Sequence, residues 1–171
     1  MAEQFDPTAR DGIDFDGRLD DIERRIATLE SDALPAGLTD PDPGSAERWE
    51  AAQVWAHMAE FIGYWHQQLG SVIGEFAGDP VPFGRIKTDP GRIAAIDLGR
   101  QEPVQDLIRR TRDALAGFRR DMGAFGTAEW NAIGVHETRG EMDVEGIVER
   151  FIVAHLEEHL DQLEALAASA R

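Results

Sequence analysis

The run Phe151-Ile152-Val153-Ala154-His155-Leu156-Glu157-Glu158-His159-Leu160-Asp161-Gln162 decides how this chain is read. On a helix of about 3.6 residues per turn, imidazoles four positions apart stand one above the other, close enough to grip a single ion. Val148, Phe151, Ile152 and Leu166 share that face, so the rings point into a helical core rather than into solvent. Two readings stay open from these residues alone. His155 and His159 either hold a metal or are core histidines satisfied by neighbouring hydrogen bonds.

Working outward, the same helix is expected to run over about 142–169. The stretch before it, Gly123 to Glu141, holds Trp130, His136 and Gly140 and reads as irregular, with His136 and Glu141 as turn or cap residues rather than ligands. Pro103 suits the first turn of a third helix over 102–123, whose apolar face is Val104, Leu107, Ile108, Thr111, Leu115, Phe118 and Met122. Between Phe76 and Gln101 the prolines and glycines leave room for at best one helical turn near Arg92 to Ala95. So long a connection is a crossover.

The second helix is expected over 45–74, with Val54, Met58, Phe61, Ile62, Trp65, Leu69 and Val72 as a broad apolar arc. His57 falls at the edge of that arc beside Phe61 and Tyr64, and His66 falls on the opposite, solvent-facing side. A first helix over 16–34 follows Asp14 or Asp16 as a cap, carries Leu19, Ile22, Ile26 and Leu29 inward, and stops at Leu34-Pro35. Residues 1–13 read as an irregular arm and 36–44 as a loop. With no credible alternating strand, the fold class is all-α: a four-helix bundle with a long crossover between helices 2 and 3, spanning 1–171 as a single domain.

Composition narrows the function. A chain of 171 residues, 42% hydrophobic and 29% charged, is that of a globular protein, and no apolar run approaches the ~20 residues that cross a bilayer. No membrane span is expected. The first residues form neither a basic leader nor an apolar core, so a cytoplasmic location is expected. A net charge of −16 repels phosphate backbones, so nucleic acid is excluded as a partner, and Arg109, Arg110, Arg112, Arg119 and Arg120 are expected to form ion pairs. With no cysteine, any metal is held by imidazole and carboxylate, and any thiol in the chemistry comes from outside.

A third histidine tips the balance between the two readings. His57 lies midway along helix 2, and His155 and His159 midway along the last helix, so all three reach a similar height in a bundle. Three facing neutral imidazoles would leave polar nitrogens unpaired at a cost of a few kcal/mol. A divalent cation satisfies them, and three protein ligands leave one position open for water or substrate. His155-Leu156-Glu157-Glu158-His159 also matches an inverted zinc-protease motif, but such enzymes take an acidic ligand from much further along the chain, and little chain follows His159. The Glu-x-x-His spacing of di-iron bundles is absent.

The pattern resembles the DinB-like superfamily. The matching residues are Trp55-Ala56-His57-Met58-Ala59-Glu60 on the second helix and His155, His159 and Gln162 on the last. The lead-in Gly134-Val135-His136-Glu137-Thr138-Arg139-Gly140-Glu141-Met142 also matches, departing from the common form at Glu137, where proline often follows the histidine. The resemblance implies a four-helix bundle with His57, His155 and His159 as metal ligands, and dimerisation through an apolar helix face. It also implies one of two chemistries on a small-molecule substrate: transfer of a low-molecular-weight thiol, as cosubstrate, to an electrophile, or hydrolysis by metal-activated water. Imidazole accepts zinc, nickel or iron.

Supporting roles follow from position. Glu158 or Glu60 can accept a proton, Tyr64 and Gln162 can hydrogen-bond a ligand or substrate, and Arg85, Lys87 and Arg92 can cap the pocket with a cationic mouth that suits a carboxylate. A non-catalytic bundle with a structural ion or a small-molecule-sensing pocket is the competing class, and a closed fourth ligand such as Glu60 would favour it.

Overall fold

The computed structural model describes residues 13–31 and 33–169. The arm expected over 1–13 therefore lies, apart from Ile13, outside the described residues. The first helix, α1 (Phe15–Ser31), opens on Asp14, whose carboxylate accepts from the Gly17 N–H at 2.8 Å. Its apolar stripe, Leu19, Ile22 and Ile26, is fully buried. On its flank Arg18 forks between Glu149 at 2.5 Å and Glu157 at 2.6 Å, and Arg25 joins Asp161 and Glu164, so α1 is tied to the C-terminal helix. The expected extension to residue 34 does not form. Pro35 steers the residue before it out of helical space, and Leu34 stays 46% exposed, so no packing offsets the loss.

The second helix, α2 (Ala51–Glu75), starts six residues later than the 45–74 expected from sequence. The residues before it fold back on themselves instead: Thr39 N–H donates to Trp49 O at 2.8 Å, and Trp49 N–H donates to Thr39 Oγ1 at 2.9 Å. Asp42 supplies the competing local bonds, accepting from the Gly44 and Ser45 amides at 2.8 and 2.9 Å. This fold-back sets Trp49 at the mouth of α2.

The crossover is more ordered than one helical turn. It contains β1 (Val81–Phe83) and α3 (Pro90–Gly99), the latter started by Pro90 and by the Asp89 side chain, which accepts from Arg92 N–H at 2.8 Å. Ile96 and Gly99 are the buried residues of α3, while Ile93 and Leu98 face outward, which hides its periodicity in the sequence. The helix α4 (Val104–Met122) matches the expected 102–123, with Pro103 just ahead of it. The segment expected to be irregular holds α5 (Thr127–Trp130), β2 (Ile133–His136) and β3 (Gly140–Asp143). The last helix is not one plain α-helix over 142–169. It runs as α6 (Val144–Val148), a π-helical turn over Glu149–Val153, and α7 (Ala154–Ser169).

The chain is thus mostly helical with a three-stranded sheet, which corrects the strand-free expectation. β1 pairs in parallel with β2, setting Phe83 against His136, and β2 pairs antiparallel with β3. A three-residue strand is shorter than any alternation sequence can display, and its partner lies far along the chain. Glycine is required where this sheet meets its neighbours: a Cβ at Gly134 would stand 2.5 Å from the Phe83 ring, and Gly84 has φ +88° with His136 against it.

α2 lies at the centre, packed against α3, α4 and α7, while α1 packs on α7 and α4. Phe61, Ile62, Leu69, Leu107, Leu115 and Phe118 are fully buried there, each stabilising the fold by roughly 2–3 kcal/mol. Because α2 has neighbours on several sides, His66 is not the solvent-facing residue expected. Its Nε2 lies 3.0 Å from Asp121 Oδ2 and its ring meets Phe118 edge-on, linking α2 to α4. The arginines of α4 find carboxylates as expected: Arg109 with Asp106, Arg110 with Glu102, Arg112 with Glu30, Arg119 with Asp20 and Arg120 with Asp121. Among the described residues no helix is long and apolar enough to cross a membrane.

Candidate metal centre

α2 delivers His57 and α7 delivers His155 and His159 to one point. One ring nitrogen from each of the three lies within 4.8 Å of the others. Ring centroids stand 5.2 Å apart for His57 and His155, 5.0 Å for His57 and His159, and 4.6 Å for His155 and His159. Phe61 stacks on His155 at 4.3 Å, and Trp49 packs against both His57 and His159. The histidine pair sits immediately after the π-helical turn, an irregularity that recurs at functional sites.

Burial makes these rings neutral. It is the first cause that holds His57 and His155 well below the ordinary imidazole value, and the neighbouring histidines add to it. His159 is lowered to about 4, again chiefly by burial. A neutral imidazole is the form that donates a lone pair to a cation.

Hydrogen bonding then separates the two readings left open by sequence. Buried His136 is satisfied within the protein: Nδ1 accepts from Thr138 N–H at 3.2 Å and Nε2 donates to Arg85 O at 3.2 Å. It is a core residue that ends β2, a strand where a turn was expected. His57, equally buried, finds no partner for either ring nitrogen among the described residues, and neither does Nε2 of His159. A buried, unpaired polar atom costs about 1–3 kcal/mol, and here three of them lie on the neighbouring rings of His57 and His159. A divalent cation fits this donor set and would satisfy it.

The surroundings sort the remaining candidates. Glu60 is held by Arg85 at 2.6 Å and stands 3.9 Å from His57 Nδ1, outside the three-histidine donor set. Arg85 lies over the Tyr64 ring at 3.8 Å, so Tyr64 supports Arg85. Glu158 and Gln162 line a cavity of about 80 Å³ over the histidines, together with Arg92 and Trp49. A wider groove of about 820 Å³ shares His155, Glu158, Lys87 and Arg92 with it. Sequence reasoning missed Trp49 and Asp42, both in the fold-back ahead of α2. Asp42 pairs with Lys87 at 2.8 Å and its carboxyl is lowered to about 2, chiefly by that bond, which joins the fold-back to the crossover over the cavity. A lone tryptophan in a polar stretch gave no signal.

No family model and no curated protein matches this chain. A solved structure does: the mycothiol-dependent maleylpyruvate isomerase, as a histidine-to-alanine mutant, aligns over 86% of this chain with a TM-score of 0.60 at 13% identity. That isomerase is a DinB-like superfamily member. The chain has the DinB-like fold. It spans 60% of the isomerase's length.

Gln162 has a defined task. Its Oε1 accepts from His159 Nδ1 at 2.8 Å, which keeps the lone pair on Nε2, the nitrogen without a protein partner. Gln162→Ala is therefore expected to weaken zinc binding about 10- to 100-fold, measured by chelator competition, while Gln162→Glu keeps most of it. Equal affinity in the alanine variant would show that His159 holds its tautomer unaided.

Proposed function

We propose that this chain is a divalent-metal-dependent enzyme that activates a low-molecular-weight thiol for attack on a small electrophile, built on a bundle of α1, α2, α4 and α7. The observation that supports it is the convergence of His57, His155 and His159, each offering a ring nitrogen within 4.8 Å of the others beside a cavity, with no hydrogen-bond partner among the described residues for the nitrogens of His57 or for Nε2 of His159. His57, His155 and His159 would hold zinc, nickel or iron, and the ion would supply the Lewis acidity that makes a thiol a thiolate at neutral pH.

The chain's own residues do the rest. Glu158, on the cavity wall, accepts the proton leaving the thiol sulfur, and the sulfur then forms its bond to the electrophilic carbon as the carbon's bond to the leaving group breaks and that group departs with the electron pair, as halide in the case of an aryl halide. Trp49 covers the histidines and excludes water. Glu60, anchored by Arg85, places a carboxylate 3.9 Å from His57 Nδ1 and stays outside the ligand set. A set of three protein ligands supports an enzyme over a structural ion, because a position stays open. The likeness to a mycothiol-dependent isomerase supports thiol chemistry over hydrolysis.

The test is consumption of thiol by metal-loaded and metal-stripped protein, using mercaptoethanol, N-acetylcysteine and glutathione with an aryl halide as acceptor. Metal-dependent loss of at least one thiol is expected, with Glu158→Gln slowed about 100-fold or more. Ester hydrolysis without thiol consumption would assign the site to a hydrolase, and tight metal binding with neither reaction would assign it a structural role.

A further inference from the structure

The guanidinium of Arg18 straddles the π-helical turn. Nη1 donates at 2.5 Å to Glu149, the first residue of that turn, while Nε and Nη2 fork onto the two carboxylate oxygens of Glu157 at 2.7 and 2.6 Å. Glu157 stands between His155 and His159 on α7. One side chain of α1 therefore grips both the entry to the turn and the stretch of helix that bears the histidines.

Whether a single side chain can reach both depends on how the residues between them are wound. On an unbroken α-helix, residues eight apart point about 80° away from one another around the axis. The π turn, closed by the bond from Ala154 N–H to Glu149 O, absorbs one residue and brings the two glutamates to within about 20°. In that winding their carboxylates share a face, and one planar guanidinium meets them together. Arg18 is held from behind, since Leu19 beside it is fully buried and its own amide donates to Asp14 O at 3.2 Å. All three charged side chains are partly buried, which strengthens their bonds over those of a fully exposed pair.

Arg25 supplies the contrast. It also joins α1 to α7, through Asp161 at 2.6 Å and Glu164 at 2.7 Å, but both partners lie beyond His159, three residues apart on plain α-helix. The same two helices are tied twice by the same chemistry, and of these two ties the one from Arg18 spans the turn.

We propose that Arg18 is a positioning residue: by bridging Glu149 and Glu157 it holds the π winding, and with it the direction from which His155 and His159 meet His57. The proposal rests on the metal reading only for what the histidines then hold.

The experiment compares Arg18→Met and Glu149→Ala with Arg25→Met in the whole chain. Amide hydrogen exchange at Ala154 in metal-free protein follows the bond that closes the turn, and chelator competition gives the zinc affinity. In Arg18→Met and in Glu149→Ala, exchange at Ala154 is expected to rise about tenfold or more and zinc affinity to fall about tenfold or more. Arg25→Met should change either by less than about threefold. Glu149→Ala leaves α1 untouched and carries the test if Arg18→Met does not fold. A general loosening of α1 from α7 would move the Arg25 variant equally, and that result overturns the proposal. So does unchanged exchange at Ala154, or unchanged zinc affinity, in the Arg18 and Glu149 variants. A parent chain that takes up no zinc sinks the metal reading alone, and faster exchange confined to the Arg18 and Glu149 variants then still upholds the bridge.

Discussion

Zinc is expected to bind the His155→Ala variant at least ~100-fold more weakly than the parent chain, since one of three converging nitrogens is gone. Removing a ligand exceeds the penalty for removing a residue that only orients one, so the effect should be larger than that of Gln162→Ala. The fold should survive. His155 packs on Phe61 at 4.3 Å, and the space left by its ring opens toward the cavity, where water can enter. Circular dichroism would confirm helicity, and chelator competition would give the affinity. Zinc affinity equal to the parent's would return His155 to the status of a packed core residue.

Metal-free protein should lose stability as pH falls from about 6.5 to about 4, in a window set by the histidines. The sign follows from proton counts. Above the ordinary imidazole value of 6.5 both folded and unfolded chains carry neutral rings, and the histidines favour neither state. Between that value and about 4 the unfolded chain binds protons that folded His159 refuses, so stability falls with pH. His159 alone accounts for about 3 kcal/mol, and His57 and His155 act in the same direction.

Other groups titrate elsewhere. Asp42 is lowered to about 2, so its contribution is present above its ordinary 3.8 and is lost only below that, outside the window. Relief of repulsion in a chain of net charge −16 acts in the opposite direction and begins near ~4, where carboxylates protonate. Urea midpoints of metal-free protein at about pH 7 and about pH 5 would measure the slope. A flat profile between them would mean that the rings are solvated. His155→Ala should flatten it partway, because one buried imidazole has been removed, and this couples the two predictions.

The helices were legible because packing wrote their period into the chain. Leu19, Ile22 and Ile26, or Leu107, Leu115 and Phe118, recur at helical spacing because each faces the same interior. The sheet was not, because Val81 and Phe83 are buried by β2 and α2, and nothing local in a three-residue strand interrupted by Pro82 announces that pairing. The start of α2 was misplaced for a related reason. Residues 45–50 contain no proline and look helical, but Asp42 and Thr39 offer their amides closer partners.

The site divides the same way. Two imidazoles at i and i+4 declare themselves on any helix, and His57 could be placed with them by its height in the bundle. The roles of Trp49, of Asp42 with Lys87, and of Gln162 toward His159 depend on contacts that arise only after folding.

The π-helical turn carries one further consequence. A loop of i to i+5 bonding between Asp143, which caps the helix, and His155 takes up one residue more than a straight α-helix needs for the same turn. Loss of a single codon within 149–153 would leave an unbroken helix with every side chain still apolar or polar as before. The histidine pair would keep its bearing relative to the capped end, because the turn already absorbs that extra residue, whereas the same loss in α6 would swing the pair by about 100°. The pair is thus kept in phase with its partner across the core by a count of residues, much as a vernier depends on one extra division, and relatives aligned by spacing alone will slip by one at that point.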